Sequence, residues 1–433
     1  MELKPGYKQT EVGVIPEDWD IVTATQACDL VVDCKNRTPP IVTDSDYAVV
    51  RTSNVRNGQF ILEDLRFTDE VSYSEWTARA VPQFGDIMIT REAPLGEVCA
   101  VPEGRKVCLG QRMMLYRPSP NKTDSLYLLY SLMSTPVKTN LLRKVGGSTV
   151  GHAKVDDIRF LQLPRPSFPE QEAIATALSD IDNLLEVLDR LIAKKQNLKQ
   201  AAMQELLTGK KRLPGFGEGK GYKETEMGLI PEDWNICNLQ KVCSAIVDGT
   251  HYTPKYVSDG VPFYSVENVT ANDFRNTKFI SEQEHINLIK RCKPEKGDIL
   301  LTRIGSLGVT KLIDWDVNAS IYVSLALLKL NKSAVPAYIY VYSKSQQFVE
   351  DVEKRSLVNA TPKKINMEDI GKVPVLIPQT EQEQKAIANI LSDMDTEITA
   401  LKERRDKTLN IKQAMMQELL TGKTRLIAPG VTN

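Results

Sequence analysis

Tyr7-Lys8-Gln9-Thr10-Glu11-Val12-Gly13-Val14-Ile15-Pro16-Glu17-Asp18-Trp19 is written a second time as Tyr222-Lys223-Glu224-Thr225-Glu226-Met227-Gly228-Leu229-Ile230-Pro231-Glu232-Asp233-Trp234, at an offset of 215. Further out, Gly85-Asp86-Ile87-Met88-Ile89-Thr90-Arg91 returns as Gly297-Asp298-Ile299-Leu300-Leu301-Thr302-Arg303 at an offset of 212. Lys199-Gln200-Ala201-Ala202-Met203-Gln204-Glu205-Leu206-Leu207-Thr208-Gly209-Lys210 returns as Lys412-Gln413-Ala414-Met415-Met416-Gln417-Glu418-Leu419-Leu420-Thr421-Gly422-Lys423 at 213. Three widely separated blocks share nearly one offset, so the repeating unit is a whole domain with a helix rather than a short solenoid repeat. Between the blocks the copies diverge. One scaffold carrying two different surfaces suggests a protein that reads two different things at a fixed separation.

The third block closes a long helix in each copy. Both helices open on a Ser/Thr-x-x-Glu pattern, Ser167 to Glu170 and Thr380 to Glu383, read as capping boxes. Prolines stand just before them (Pro164, Pro166; Pro374, Pro378), and each ends at a Gly after Thr, Gly209 and Gly422, with Lys following. Apolar residues recur by three and four: Ile174, Leu178, Ile181, Leu185, Leu188 and Ile192, then Leu198 and Ala202 after a register change. The second series is Ile387, Leu391, Met394, Ile398 and Leu401, then Leu409, Met416 and Leu419. Such spacing predicts a coiled-coil seam, and roughly 40 residues at ~1.5 Å each make a rod of about 60 Å. With a globular domain between them, the two helices are expected to pair antiparallel.

Ahead of each helix the sequence reads as a mixed α/β (α+β) domain. Short β-branched runs (Tyr47 to Arg51, Asp86 to Ile89, Asp298 to Leu301, Ser320 to Ser324) are broken by Gly, Asn, Asp and Pro turns. Helices are expected over Ser125–Ser134 and Pro336–Val352, and the Gly-rich stretch 214–221 reads as a connector. The expected organisation is a recognition domain over 1–160, a spacer helix over 161–213, a second recognition domain over 214–375, a second spacer helix over 376–426 and a tail over 427–433.

At 433 residues the chain has room for about two to four domains, and 42% hydrophobic with 26% charged residues is ordinary for globular protein. No apolar run approaches the ~20 residues that span a bilayer, and Met1-Glu2-Leu3-Lys4-Pro5 begins no signal peptide, so a cytoplasmic location is expected. Seven cysteines without a Cys-x-x-Cys pair, and three scattered histidines, point to reduced core thiols rather than zinc. A net charge of −1 decides nothing about nucleic acid, which needs a basic face rather than a basic total. Basic residues do cluster at the helix ends (Lys194, Lys195, Lys199, Lys210, Lys211, Arg212; Arg404, Arg405, Lys407, Lys412, Lys423, Arg425), which a solvated helix face also explains.

No motif equips the chain for catalysis. Gly422-Lys423-Thr424 imitates the end of a phosphate-binding loop, but Gln417 stands where the first Gly belongs, and a helix precedes it rather than a strand. No Asn/Asp-Pro-Pro-aromatic motif of amino-methyltransferases occurs, and no Gly-x-Gly-x-x-Gly follows a strand. Glu17-Asp18 and Glu232-Asp233, beside Pro and Trp, read as structural caps. Binding and scaffolding fit better than an enzyme.

Two unlike domains, each followed by a long helix ending Gln-Glu-Leu-Leu-Thr-Gly-Lys, resemble the specificity (S) subunit of Type I DNA restriction-modification systems. The resemblance spans essentially the whole chain and rests on the order of Gly-x-Ile-Pro-Glu-Asp-Trp (13–19, 228–234), the Gly-Asp-Ile strands, Gly147-Ser148-Thr149-Val150, Asp248-Gly249-Thr250-His251 and the helix ends. It implies two target-recognition domains, each reading half of a bipartite asymmetric DNA site. It also implies helices that space them and dock two methyltransferase (M) subunits, with restriction and translocase (R) subunits joining through the complex. S-adenosylmethionine, ATP and Mg2+ are then bound by those partners, and this chain binds no cofactor or metal and carries no catalytic residue. A stand-alone scaffold joining two proteins, or a methyltransferase fused to recognition, are the alternatives.

Candidate DNA-contacting residues lie in matching loops. Lys35, Arg37 and Thr38 match Thr250, His251, Tyr252 and Lys255 in polar, Pro-stiffened segments. Arg51, Thr52 and Asn54 match the stretch holding Glu267 and Asn268, with donors and acceptors suited to base edges or phosphates. Arg91 and Arg303 end the repeated strands. Ser148 and Thr149 lead into Lys154, as Asn359 and Thr361 lead into Lys363 and Lys364, where amides, hydroxyls and ammonium groups suit phosphate. Residues shared by both copies (Arg91/Arg303, Asn54/Asn268) are expected to be structural or to position phosphate. Those that differ (Arg37 against His251, Arg51 against Ser265) are the better candidates for reading bases.

Overall fold

The repeated opening block folds as a hairpin in both copies. Tyr7–Thr10 pairs antiparallel with Gly13–Pro16, and Tyr222–Thr225 with Gly228–Pro231. Gly13 and Gly228 stand at φ +100° and +91°, where a side chain is strained. These are features of a computed structural model that describes residues 3–145, 151–357 and 359–428. The chain divides into two compact units, one made of Met1–Asp189 with Glu403–Asn433, the other of Arg190–Lys402. Both boundaries fall inside the long helices.

The first unit is built on a four-stranded antiparallel sheet in the order Val98–Ala100, Ile87–Thr90, Met113–Pro118, Cys28–Asp33. Beside it a smaller sheet pairs Lys106–Leu109 parallel to Tyr47–Val50, and Tyr47–Val50 antiparallel to Arg66–Thr68. Ile87, Ile89, Met114 and Tyr116 pack with Leu128 and Leu132 of the Ser125–Met133 helix in one core cluster. The second unit repeats the plan, with Thr310–Leu312, Ile299–Thr302, Leu325–Leu330 and Cys243–Asp248 in the same order. Its smaller sheet gains a strand at Tyr256–Val257. The sequence reads Pro336–Val352 as one helix, but the structure has two, Pro336–Tyr342 and Gln346–Lys354. Ser345 ends the run by taking the N-cap of the second, its hydroxyl accepting from the Phe348 amide at 3.2 Å. Ser320–Ser324 likewise yields only the two-residue strand Ser320–Ile321.

The long helices span Phe168–Leu206 and Glu381–Leu419, 39 residues each, or about 58 Å at ~1.5 Å per residue. Within the first unit, Asp182 meets Lys412 at 2.6 Å and Asp189 meets Arg405 at 3.1 Å. Numbers rise along one helix as they fall along the other, so the pairing is antiparallel. In the second unit Lys195 meets Glu397 at 2.6 Å and Lys199 meets Asp395 at 2.5 Å with the same sense. The expected seam holds at Ile174, Leu178, Leu188, Ile192, Ile387, Leu391, Ile398 and Leu419, all buried. It fails at Leu198, which is 48% exposed. There the Lys199 stem turns inward and carries its ammonium to Asp395, as a long side chain can.

The capping boxes close only in part. The Thr380 hydroxyl accepts from the Glu383 amide at 3.3 Å. The Glu383 carboxylate, however, does not reach back to its own cap. It accepts from Trp234 Nε1 at 3.2 Å and from Arg212 Nε at 2.7 Å, while Arg212 also forks onto Asp233. In the first unit Glu170, 1% exposed, accepts from Trp19 Nε1 at 3.1 Å and from Arg425, which forks onto Asp18 at 2.9 Å. Each opening block is thus clasped by the tail of a long helix and the start of the other. The hydrogen bond from Arg425 holds Asp18 below its ordinary value, and Arg212 does the same to Asp233. The Thr-Gly ends follow from the same fit: a Cβ on Gly422 would stand 2.4 Å from Pro16 Cγ, and one on Gly209 2.5 Å from Pro231 Cγ.

Six of the seven cysteines are buried and all are free. Burial pushes the thiols of Cys28, Cys99, Cys108, Cys243 and Cys292 up to about 12. Among the described residues no group of three His, Cys, Asp or Glu is placed to hold a metal ion, and no helix is long and apolar enough to cross a membrane.

Candidate nucleic-acid interface

In the first unit the strand Cys28–Asp33 runs out into the loop that carries Lys35, Arg37 and Thr38. Lys35 and Arg37 share one carboxylate, Glu75, at 2.7 and 2.6 Å. Both cations also lie over the Trp76 ring, 4.9 and 5.0 Å from its centroid, and Trp76 Nε1 donates to the Arg37 carbonyl at 3.1 Å. The hydrogen bond from Lys35 lowers the Glu75 pKa most. Two cations on one carboxylate leave positive charge on the loop, and Arg37 keeps 67% of its side chain exposed beside the exposed Thr38. Trp76 and Glu75 escape a reading of the sequence because the partners of this staple lie on a helix some forty residues away.

The next segment is set by an asparagine clamp. Asn54, fully buried, accepts from the Arg51 amide at 3.1 Å and donates to the carbonyls of Ile61 and Glu63, both at 3.1 Å. Asn268 repeats the clamp, accepting from the Ser265 amide at 3.0 Å and donating to Asp273 and Asn276. Both amide hydrogens are spent on backbone in each copy, so these asparagines shape the loop and have no donor left for a ligand. Arg51 donates to the Asp64 carbonyl at 2.6 Å, with half-buried Thr52 beside it. Arg91 and Arg303 are buried as well. Arg303 donates to the carbonyls of Ile365 and Val323 and to Asp248, and burial lowers its pKa. Lys154 is exposed at the cap of the Val155–Arg159 helix, whereas Ser148 and Thr149 lie outside the described residues.

In the second unit Asp248, buried at the end of Cys243–Asp248, gathers Arg303, Arg291 and His251, the last at 2.8 Å. Gly249 follows because a Cβ there would stand 2.0 Å from the Ile321 carbonyl oxygen. Thr250 is buried in a bridge to Tyr322, while His251, Tyr252 and Lys255 face outward. Tyr252 donates to Glu284 at 2.5 Å, which raises its pKa. Asn359, Thr361, Lys363 and Lys364 are exposed, and the Gly305 amide donates to the Lys363 carbonyl at 2.8 Å, pinning that loop beside Arg303.

The 253–278 segment meets Gly305 and Pro362 here. A groove of about 780 Å3 is lined by Thr253, by Glu267 and Asn268, and by Gly305 with Pro362. Its wall includes Tyr256, Phe263 and Tyr322, with Lys278 Nζ 4.9 Å from the Tyr256 centroid. His251 and Tyr252 line a separate hollow with Arg291. Tyr256, Tyr322 and Lys278 are absent from the sequence-level set. Their signal was aromatic residues interleaved with Lys across a hairpin. A groove walled by aromatic rings, hydroxyls, the ammonium of Lys278 and the free carboxylate of Glu267 offers donors, acceptors and stacking faces suited to base edges.

Residues 16–196 and again 231–410 match the family described as Type I restriction modification DNA specificity domain. The chain is 27% identical over 434 residues to the putative type I restriction enzyme MjaX specificity subunit of Methanocaldococcus jannaschii, covering 97% of each chain. It is 25% identical over 426 residues to the MjaVIII specificity subunit of the same organism, covering 95% of this chain and 94% of the relative. Among solved structures it is similar to the S subunit of the Type-I restriction-modification system from M. genitalium, with a TM-score of 0.60 at 18% identity over 97% of this chain and 98% of that one. A chain of a type I R-M system studied for complex assembly and conformational transition aligns with a TM-score of 0.55 at 17% identity, covering 95% and 99%. At these identities the two structures share the fold.

Proposed function

The chain belongs to the Type I restriction modification DNA specificity family, and from that premise we propose that it is the DNA-reading subunit of a Type I restriction-modification complex, working in the cytoplasm. Residues 1–160 and 214–375 each read one half of a bipartite, asymmetric double-stranded site. The helical segments 161–213 and 376–426 set the spacing between the half-sites and carry two M subunits, through which R subunits join. S-adenosylmethionine, ATP and Mg2+ are the partners' cofactors; this chain contributes no reacting group.

The observation that carries the reading is the contrast between fixed clamps and free loops. Both copies keep the Trp–Glu–Arg–Asp clasp and the asparagine clamp, which face inward. What differs is the exposed side chains on the loops, Ser53 against Glu267 beside the asparagine clamp and Arg37 against His251 on the loop after the matching strand. A scaffold kept twice with its outward groups changed suits reading two different sequences. Docking of two identical partners is supported by repeated grooves at the helix ends. One of about 680 Å3 is lined by Met133 and Met416, and another of about 1310 Å3 by Tyr342 and Met203.

The test is DNA binding by the assembled complex across a salt titration. Affinity for any duplex should fall steeply with salt as phosphate contacts are lost, while a preference for one bipartite site persists. Equal affinity for all duplexes at every salt concentration would sink the reading.

A further inference from the structure

The asparagine clamp does more than close a loop: in both copies it presents the residue just before it. Ser53 precedes Asn54 and Glu267 precedes Asn268, and both are exposed while the asparagines are buried. The clamp fixes the backbone from residue 51 to 63 in one unit and from 265 to 276 in the other by the same three hydrogen bonds. The presented position is therefore rigid in geometry and free in identity, which is what a reading position requires.

Glu267 lines the groove with Ser265, Asn276, Lys278 and Ser324. Among the described residues its carboxylate has no hydrogen-bond or ion-pair partner, although Lys278 lines the same groove. A carboxylate on a DNA-facing surface is repelled by phosphate. Base groups that reward it are exocyclic amines, the cytosine N4 or adenine N6 hydrogens on the major-groove edge.

Resting on the specificity reading above, we propose that positions 53 and 267 are the matched specificity-determining positions of the two domains, with Glu267 accepting a hydrogen bond from an exocyclic base amine. Ser53, a short hydroxyl that donates or accepts, discriminates less at the corresponding place.

The experiment uses the assembled complex and its methylated site, with each position of the second domain's half-site replaced by all four bases. Binding is measured for the parent, Glu267→Gln and Glu267→Ala, and for non-specific duplex. The parent is expected to prefer an amine-bearing base at one position by about tenfold. Cytosine at that position identifies N4 as the donor, and adenine identifies N6. Glu267→Ala should lose discrimination there and keep it elsewhere. Glu267→Gln, whose amide oxygen still accepts and whose NH2 can donate to adenine N7, keeps it where the base is adenine and weakens it where the base is cytosine. Affinity for non-specific duplex should rise in both, because a charge repelling phosphate is gone. A carboxylate that merely repels would instead raise specific and non-specific affinity together with every preference intact, and that overturns the proposal. So does uniform loss of preference at all positions. If the parent complex itself has no sequence preference, the specificity reading fails with it. A parent that discriminates while Glu267→Ala matches it at every position refutes this inference alone.

Discussion

Arg425, like Arg212 in the second unit, is a residue whose loss should cost much for its size. Among the described residues it alone supplies cationic donors to Glu170, a carboxylate with 1% of its side chain exposed, and it shares itself with Asp18. Arg425→Ala leaves that charge buried and unpaired, which costs about 3–5 kcal/mol. Arg425→Lys should recover less than half, because an ammonium cannot fork onto two carboxylates at once. Urea unfolding checks both; a loss below about 1 kcal/mol for the alanine variant contradicts the clasp. Acid should act at the same place. Asp18 and Asp233 are held below 3.8 when folded. Their contribution is therefore present above the unfolded value and lost as pH falls through the folded one. The thermal midpoint should drop as pH goes from 5 to 3, and less steeply in Asp18→Asn; a midpoint that stays level contradicts the assignment. The sequence shows Trp19, Asp18 and Glu170 as repeated, and so as structural. It does not show that Glu170 abandons its own cap for an arginine 255 residues away, because long-range pairing leaves no local pattern. Asn54 and Asn268 are legible as shared residues for the same reason, while their carbonyl partners are not.

Along the long helices, the apolar spacing is a good guide wherever aliphatic residues pack against aliphatic ones, as at Ile174, Leu178, Ile387 and Leu391. It misleads at Leu198, where the register shifts. Period alone does not tell which of two neighbouring residues turns inward once the phase changes, and a lysine stem can fill a seam position if a carboxylate waits at its end. Leu188 is 3% exposed against 48% for Leu198. Leu188→Ala should then cost about 2–5 kcal/mol, and Leu198→Ala no more than about 0.5 kcal/mol. Chemical denaturation of the two variants side by side gives the answer, and equal losses would contradict the inward turn of Lys199. The break in Pro336–Val352 has a similar origin: Ser343 and Ser345 are compatible with a helix interior by propensity, yet Ser345 does better as a cap.

For the molecule as a whole, the repeat makes the twofold plan legible before any coordinate is known, since three blocks at nearly one offset leave little else to infer. The chemistry of reading is less legible. The groove that gathers Thr253, Glu267 and Pro362 joins the 253–278 segment to Pro362, about 90 residues further on, and only folding brings them together. If each domain reads its half-site independently, exchange of one domain should leave the other half-site untouched. Replacing residues 20–155 by the matching stretch of another family member keeps Pro16, Asp18, Trp19, Glu170 and Arg425, the residues of the clasp, while exchanging Tyr127 and Tyr130, which pack against Trp19. The deciding measurement is a map of methylated positions in DNA from cells that carry the complete system with this exchanged subunit. The expected map shows one half-site changed to that of the donor and the other as before. A map in which both half-sites change, or neither does, contradicts independent reading by the two domains.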